Sequence, residues 1–187
     1  MEAIRGEEYV TFGQFFADNQ PVHCTVIPFT RNLFDPMDFT PVNFSGIPNI
    51  TRRTTVGFEI AASVMFSSGI QHIAETPTGM AAQKDFIKQY MRTLPVTWDD
   101  LKFIDGFPGK YVVLARRKGK SWYIAGINGQ NQARTLTIKT PFIKNELKGV
   151  IITDLDNGKE FTKDEINFSE PLTVKMLPYG GFVIKTK

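Results

Sequence analysis

Cysteine is almost missing from this chain and histidine is nearly as scarce, with one and two residues respectively among 187. The lone Cys24 excludes an intrachain disulfide and a cysteine-based metal centre, and it reads as a buried, inert thiol. No run of eighteen apolar residues occurs, so no helical membrane span is expected, and no charged-then-apolar leader stands at the start. A His-Glu-x-x-His pair, a Gly-x-Ser-x-Gly elbow and a glycine-rich phosphate loop are all missing, which leaves zinc hydrolysis, α/β-hydrolase chemistry and nucleotide binding without their usual carriers. An excess of charge of one sign is lacking too. The formal net charge is +3 and the basic residues are scattered. The densest group, Arg116-Arg117-Lys118 with Lys120, surrounds Gly119 without interleaved aromatics, and reads as a hairpin tip rather than a nucleic-acid surface. No repeat or low-complexity tract is present.

What is there is ordinary globular material, 42% hydrophobic and 22% charged, whose periodicity changes partway along. Residues His23 to Phe29 form a short run, nearly continuously apolar in its second half, that reads as a buried parallel strand after a turn at Asp18-Asn19-Gln20-Pro21. A long loop from Thr30 to Thr51 follows, of the kind that lines a site. Arg52 to Ser68 is apolar on almost every side and reads as a buried helix; Met80 to Thr93 reads as an amphipathic helix closed by Leu94-Pro95.

Beyond Pro95 the period falls from 3.6 to 2. Short β-rich runs at 101–104, 111–116, 122–127, 134–140, 149–154, 172–177 and 181–185 alternate with turn residues at Gly119, Asn128-Gly129, Asn157-Gly158 and Tyr179-Gly180, the pattern of an antiparallel sandwich. A strand-and-helix part followed by an all-β part suits the end of a (β/α)8 barrel with its C-terminal appendage. A whole barrel takes roughly 250 residues, so the chain reads as a piece of a longer protein. The barrel elements are then expected to lack partners and to face water.

The first residues concentrate charge: Glu2, Arg5, Glu7 and Glu8 stand directly before an aromatic, apolar stretch. Crowded carboxylates suit a general acid or a calcium site, and equally a solvated cluster paired with Arg5. Downstream come Asn19, Pro21 and His23, then Pro28-Phe29-Thr30-Arg31, then Pro36-Met37-Asp38-Phe39-Thr40-Pro41.

In that order and spacing these residues resemble glycoside hydrolase family 97, calcium-dependent α-glucosidases and α-galactosidases. Val22 and Asp35 depart from the family pattern, where glutamate and glycine are usual. The resemblance implies that Glu8 is the general acid, that Glu2 and Glu8 ligate Ca2+, and that His23 and Asp38 bind sugar hydroxyls of an oligosaccharide substrate. Asp38 also suits a structural anchor for Arg31. It implies residues 1–96 as the C-terminal part of a catalytic (β/α)8 TIM barrel and 97–187 as an antiparallel β-sandwich open to homo-oligomerisation. A periplasmic or secreted bacterial setting goes with the family. The segment alone is expected to be inactive, because glycoside hydrolysis needs a second carboxylate that the remaining residues do not supply. A reading from another class is a non-catalytic module for glycan binding or subunit association. Trp98 and Trp122 suit sugar stacking, but flank strands as core residues do.

Overall fold

The computed structural model of the chain describes residues 10–40 and 42–187. Among the described residues five α-helices come first: α1 Gln14–Val26, α2 Arg31–Phe34, α3 Val56–Met65, α4 Pro77–Ala82 and α5 Asp85–Arg92, with a 3-10 turn Ile27–Phe29 after α1. Eight strands follow: β1 Asp100–Phe107, β2 Tyr111–Lys118, β3 Ser121–Asn128, β4 Arg134–Ile138, β5 Lys148–Asp154, β6 Phe161–Asn167, β7 Leu172–Met176 and β8 Gly181–Thr186. They form a six-stranded sheet in the order β1-β2-β3-β8-β5-β6 and a two-stranded sheet β4-β7, with antiparallel pairing throughout. This is the antiparallel sandwich that the turn spacing predicts. Gly119 and Gly158 take left-handed φ of 58° and 64° in the turns after β2 and β5.

Period-2 alternation divides the large sheet between two cores. Val113, Ala115, Trp122, Ile124, Phe182 and Ile184 face the β4-β7 sheet, together with Ile138, Val174 and Met176 from that sheet. Val112, Leu114, Tyr123, Ala125, Ile127, Ile152 and Val183 face the opposite way, into a core completed by α3 and by Cys24, Met37, Phe39 and Phe44. Both faces of the sheet are therefore covered. Every residue of α3 is buried, and the helix packs on β8, β3 and β5. The expectation that this all-apolar helix would lack cover is overturned: the sheet is its partner.

Three local expectations also give way. His23 to Phe29 is helix and 3-10 turn, not a parallel strand. The buried residues of α1, Ala17, Gln20, Pro21, Cys24 and Thr25, recur at helical spacing, and a short apolar strand cannot be told from a helix by its hydrophobicity alone. The single helix read over Met80 to Thr93 is two. Pro77 opens α4 under the Thr76 cap, and the chain straightens at Gln83 and Lys84, where Lys84 Nζ donates to Phe161 O at 3.1 Å. Strand β6 escaped notice because Lys163, Asp164 and Glu165 break its pattern, as charges on an edge strand do. The one parallel pairing among the described residues is an isolated bridge, Phe39 to Gln71.

Candidate functional site

The best-defined polar constellation lies where the helices meet the sheet. Strand parity places Asp154 on the face of Val150 and Ile152, and Arg116 on the face of Val112 and Leu114, so both charged side chains point at α3. Asp154 sits under the helix N-terminus. Its Oδ1 accepts from Gly57 N at 2.6 Å and its Oδ2 from Thr55 Oγ1 at 2.6 Å and from Gly181 N at 3.4 Å. Thr55 in turn caps the helix by accepting from Phe58 N. Burial pushes the Asp154 carboxyl up from its ordinary 3.8 to about 6, against the pull of the Thr55, Gly57 and Gly181 donors and of the Arg52 charge.

The other end of α3 holds the opposite charge. Arg116, 5% exposed, donates from Nε to Val64 O at 2.8 Å and from Nη2 to Met65 O at 3.0 Å, satisfying carbonyls of the last helical turn. Burial lowers its guanidinium from its ordinary value to about 10, so it remains a cation at neutral pH. A carboxylate at the N-terminus and a guanidinium at the C-terminus both complement the helix dipole. The helix is thus held to the sheet at both ends by side chains of the sheet.

The long loop is pinned by two further carboxylates. Glu59 on α3, 1% exposed, accepts from Asn43 N at 3.2 Å and from the Thr54 hydroxyl. Glu75 accepts from Phe44 N, Ser45 N and Ser45 Oγ at 2.6–2.7 Å. Burial works to raise the Glu75 carboxyl, and the bonds from Ser45, Phe44 and Thr76 outweigh it, leaving the group below its ordinary value.

Helix α1 carries the first described part of the motif region. Its first half is tied by reciprocal bonds between Gln14 and Thr51, at 2.9 and 2.8 Å, and by Arg53 Nε to Asp18 Oδ1 at 2.7 Å. Its second half abuts the end of β3. A Cβ on Gly129 would lie 2.7 Å from Thr25 Oγ1 and 2.8 Å from Pro21 O, so the close approach requires glycine there.

Glu2 and Glu8, the expected acid and calcium ligands, lie outside the described residues. His23 is half-buried on α1, and Asp38 is exposed between α2 and the Phe39 bridge. Arg31 donates to the carbonyls of Asp35 and Pro36. Among the described residues no group of three or more His, Cys, Asp or Glu could hold a metal ion, and no helix is long and apolar enough to cross a membrane. Trp98 and Trp122 pack on Tyr123 and Phe142, one in each core, as strand-flanking tryptophans do. Cys24 is buried. The roles of Asp154 and Arg116 were missed by motif reasoning, although a charged residue in phase with a strand's apolar face was the available signal.

Residues 97–187 match the family model described as Glycosyl-hydrolase 97 C-terminal, oligomerisation. Over 182 residues, 97% of its length, the chain is 36% identical to a probable retaining α-galactosidase of Streptomyces bingchenggensis. It is 27% identical over 202 residues to a retaining α-galactosidase of Bacteroides thetaiotaomicron. The chain spans 27% and 30% of the length of these curated relatives. Among solved structures, a β-arabinopyranosidase superposes on 96% of the chain with a TM-score of 0.88 at 29% identity; the chain covers 30% of it. A family 97 enzyme from Pseudoalteromonas sp. strain K8, in complex with acarbose, superposes on 94% with a TM-score of 0.79 at 30% identity, again with 30% of that enzyme covered. The likeness runs through helices and sheet alike, and the chain accordingly belongs to glycoside hydrolase family 97, corresponding to the C-terminal part of its members, with residues 97–187 as the family's C-terminal domain.

Proposed function

We propose that this chain forms the C-terminal part of a retaining α-galactosidase. In this reading Glu8 is the general acid that protonates the leaving glycosidic oxygen, Glu2 and Glu8 contribute ligands to a calcium ion, and His23 and Asp38 contact sugar hydroxyls. The observation that carries the reading is the 36% identity to the Streptomyces relative, which extends over the helical half as well as the sheet. A sandwich serving only as a binding module would not need the motif region kept in register with it. Calcium takes six to eight oxygen ligands, so two glutamates leave most of the shell to other groups. Subunit association through the 97–187 region accompanies this proposal, supported by the description of the matching family model.

The test is a chimera in which this chain replaces the matching 30% of the Bacteroides relative. It should cleave α-galactosides with net retention of anomeric configuration. Glu8→Gln should remove most turnover on natural galactosides and much less on an activated aryl galactoside, whose leaving group needs little protonation. Glu2→Ala should raise the calcium concentration needed for activity. Equal losses of Glu8→Gln on both substrates would take Glu8 out of the acid role, and hydrolysis of α-glucosides alone would replace galactose with glucose in the proposal.

A further inference from the structure

A cavity lies where α5 meets strands β5, β6 and β8. Its volume is about 250 Å3, and its floor is Val150 and Ile152 of β5. The pairing register fixes the walls. Val150 pairs with Lys185 of β8 and Ile152 with Lys163 of β6, so the two lysines stand on the same face as the floor, on opposite sides of it. Phe86 and Tyr90 of α5 close the end.

Three observations mark this cavity as a binding site. First, the cations are presented over aromatic faces rather than neutralised: Lys163 Nζ lies 5.7 Å from the Phe86 ring and Lys185 Nζ 5.3 Å from the Tyr123 ring. Neither takes part in an ion pair among the described residues, whereas the neighbouring Lys187 is engaged with Glu165. Second, the Tyr90 hydroxyl is buried and has no hydrogen-bond partner among the described residues, although a buried hydroxyl nearly always has one. Tyr90 lines the cavity, so the unpartnered hydroxyl stands beside it, just behind its surface. Third, the cavity is smaller than the roughly 300 Å3 at which drug-sized sites begin. It suits one ring, apolar on the face that meets Val150 and Ile152 and anionic at its rim.

We propose that this cavity binds a hexuronic acid unit, a sugar ring carrying a carboxylate, separately from any hydrolytic site. The anionic part follows from Lys163 and Lys185; the choice of a sugar rests on the reading of this chain as part of an α-glycosidase. The carboxylate takes the lysine ammonium groups, the ring lies on the β5 floor, and the buried Tyr90 hydroxyl turns toward the cavity on binding to donate to a ring or carboxylate oxygen.

The experiment is an NMR titration of the full 187-residue chain with galacturonate, galactose and inorganic phosphate. Galacturonate should shift the backbone amides of Val150, Ile152 and Lys185 saturably, with galactose at least tenfold weaker. Raising salt from 0.05 to 0.5 M should weaken binding several-fold, because the rim charges are exposed to screening. The double variant Lys163→Ala with Lys185→Ala, the first position exposed and the second half-buried, should lose at least tenfold in affinity. Tyr90→Phe should lose about threefold with no fall in melting temperature, since the hydroxyl removed has no partner in the free chain. Equal binding of galactose and galacturonate would overturn the anion role. Phosphate binding as tightly as galacturonate would overturn the sugar. Unchanged affinity in the double variant would overturn the site itself. No hydrolysis is read, so an inactive chimera and a failed titration are separate results.

Discussion

Replacing Asp154 tests which of two opposing effects governs the junction between α3 and the sheet. The carboxyl of Asp154 is pushed to about 6 in the folded chain, above its ordinary 3.8. Between those values the folded state keeps a proton that the unfolded state has released. Its contribution to stability is therefore full below about pH 4 and is lost as pH rises through 6. An interval of about two pH units corresponds to roughly 3 kcal/mol. Against this stands the helix N-terminus, which favours the ionised form by about 0.3–2 kcal/mol. The burial effect is the larger. Asp154→Ala leaves Gly57 N and Gly181 N without their acceptor, a loss of about 2–3 kcal/mol. That loss should be fully expressed at pH 3.5 and shrink to within about 1 kcal/mol by pH 8, where the parent already carries the buried charge. Asp154→Asn keeps an acceptor for Gly57 N and cannot titrate, so its own stability should show no step between pH 4 and 7 beyond that of other groups. Urea unfolding of the parent and both variants at four pH values gives the differences directly. A cost for Asp154→Ala that is constant, or that grows with pH, would show that the helix dipole and the three donors outweigh burial, and would refute this assignment.

The opposite end of the helix and the backbone contact beside it supply two further tests. Arg116→Met should destabilise by about 2 kcal/mol, because the carbonyls of Val64 and Met65 lose a charged donor inside the core. Arg116→Lys should recover less than half of this, since an ammonium cannot reproduce the fork that reaches both oxygens; thermal denaturation monitored by circular dichroism reads both. A Cβ on Gly57 would lie 2.4 Å from Gly181 O and 2.6 Å from Asp154 Oδ2, so Gly57→Ala must lift α3 from the sheet, at about 2 kcal/mol or more. Gly69→Ala, where nothing lies within 4 Å of the added carbon, serves as the control and should stay within about 0.5 kcal/mol.

The all-β half was legible because its strands are bounded by turn residues whose backbone demands are local, as Gly119 and Gly158 show with their left-handed φ. Its one missed strand, β6, is an edge strand, and an edge strand's charges are placed to disguise it. The helical half was harder. Val26, Ile27 and Phe29 look like a strand in isolation, and only the burial of Ala17, Pro21 and Cys24 along one side makes the segment a helix. That burial comes from β3 and its neighbours, more than a hundred residues away in sequence, and no local pattern contains it. The candidate site divides the same way. His23 and Asp38 are singled out by motif order alone, whereas the charges that hold α3, Asp154 and Arg116, carry no motif at all. They are visible only as polar residues in phase with an apolar strand face, which a reading of strands one at a time takes for an end or a hairpin tip.

That phase relation bears on how the two halves act together. A sheet that buries apolar side chains on both faces could receive α3 in several rotations about the helix axis, since Glu59 apart the helix surface is apolar or small and hydrophobic contact is not directional. The charged ends remove that freedom: Asp154 must meet the first turn and Arg116 the last, which fixes the direction of the helix and its position along β2 and β5. The position of α3 then fixes the loop before it, through Glu59 and Asn43, and residues 51–53 of that loop hold α1 through Gln14 and Asp18. Helix α1 is braced independently at its far end by the approach of Gly129 to Pro21 and Thr25. Two separate routes thus run from the sheet to α1, the helix that follows Glu8 in sequence. The sandwich is accordingly the mount on which α1 is set, through buried charges and a close backbone approach as well as apolar contact.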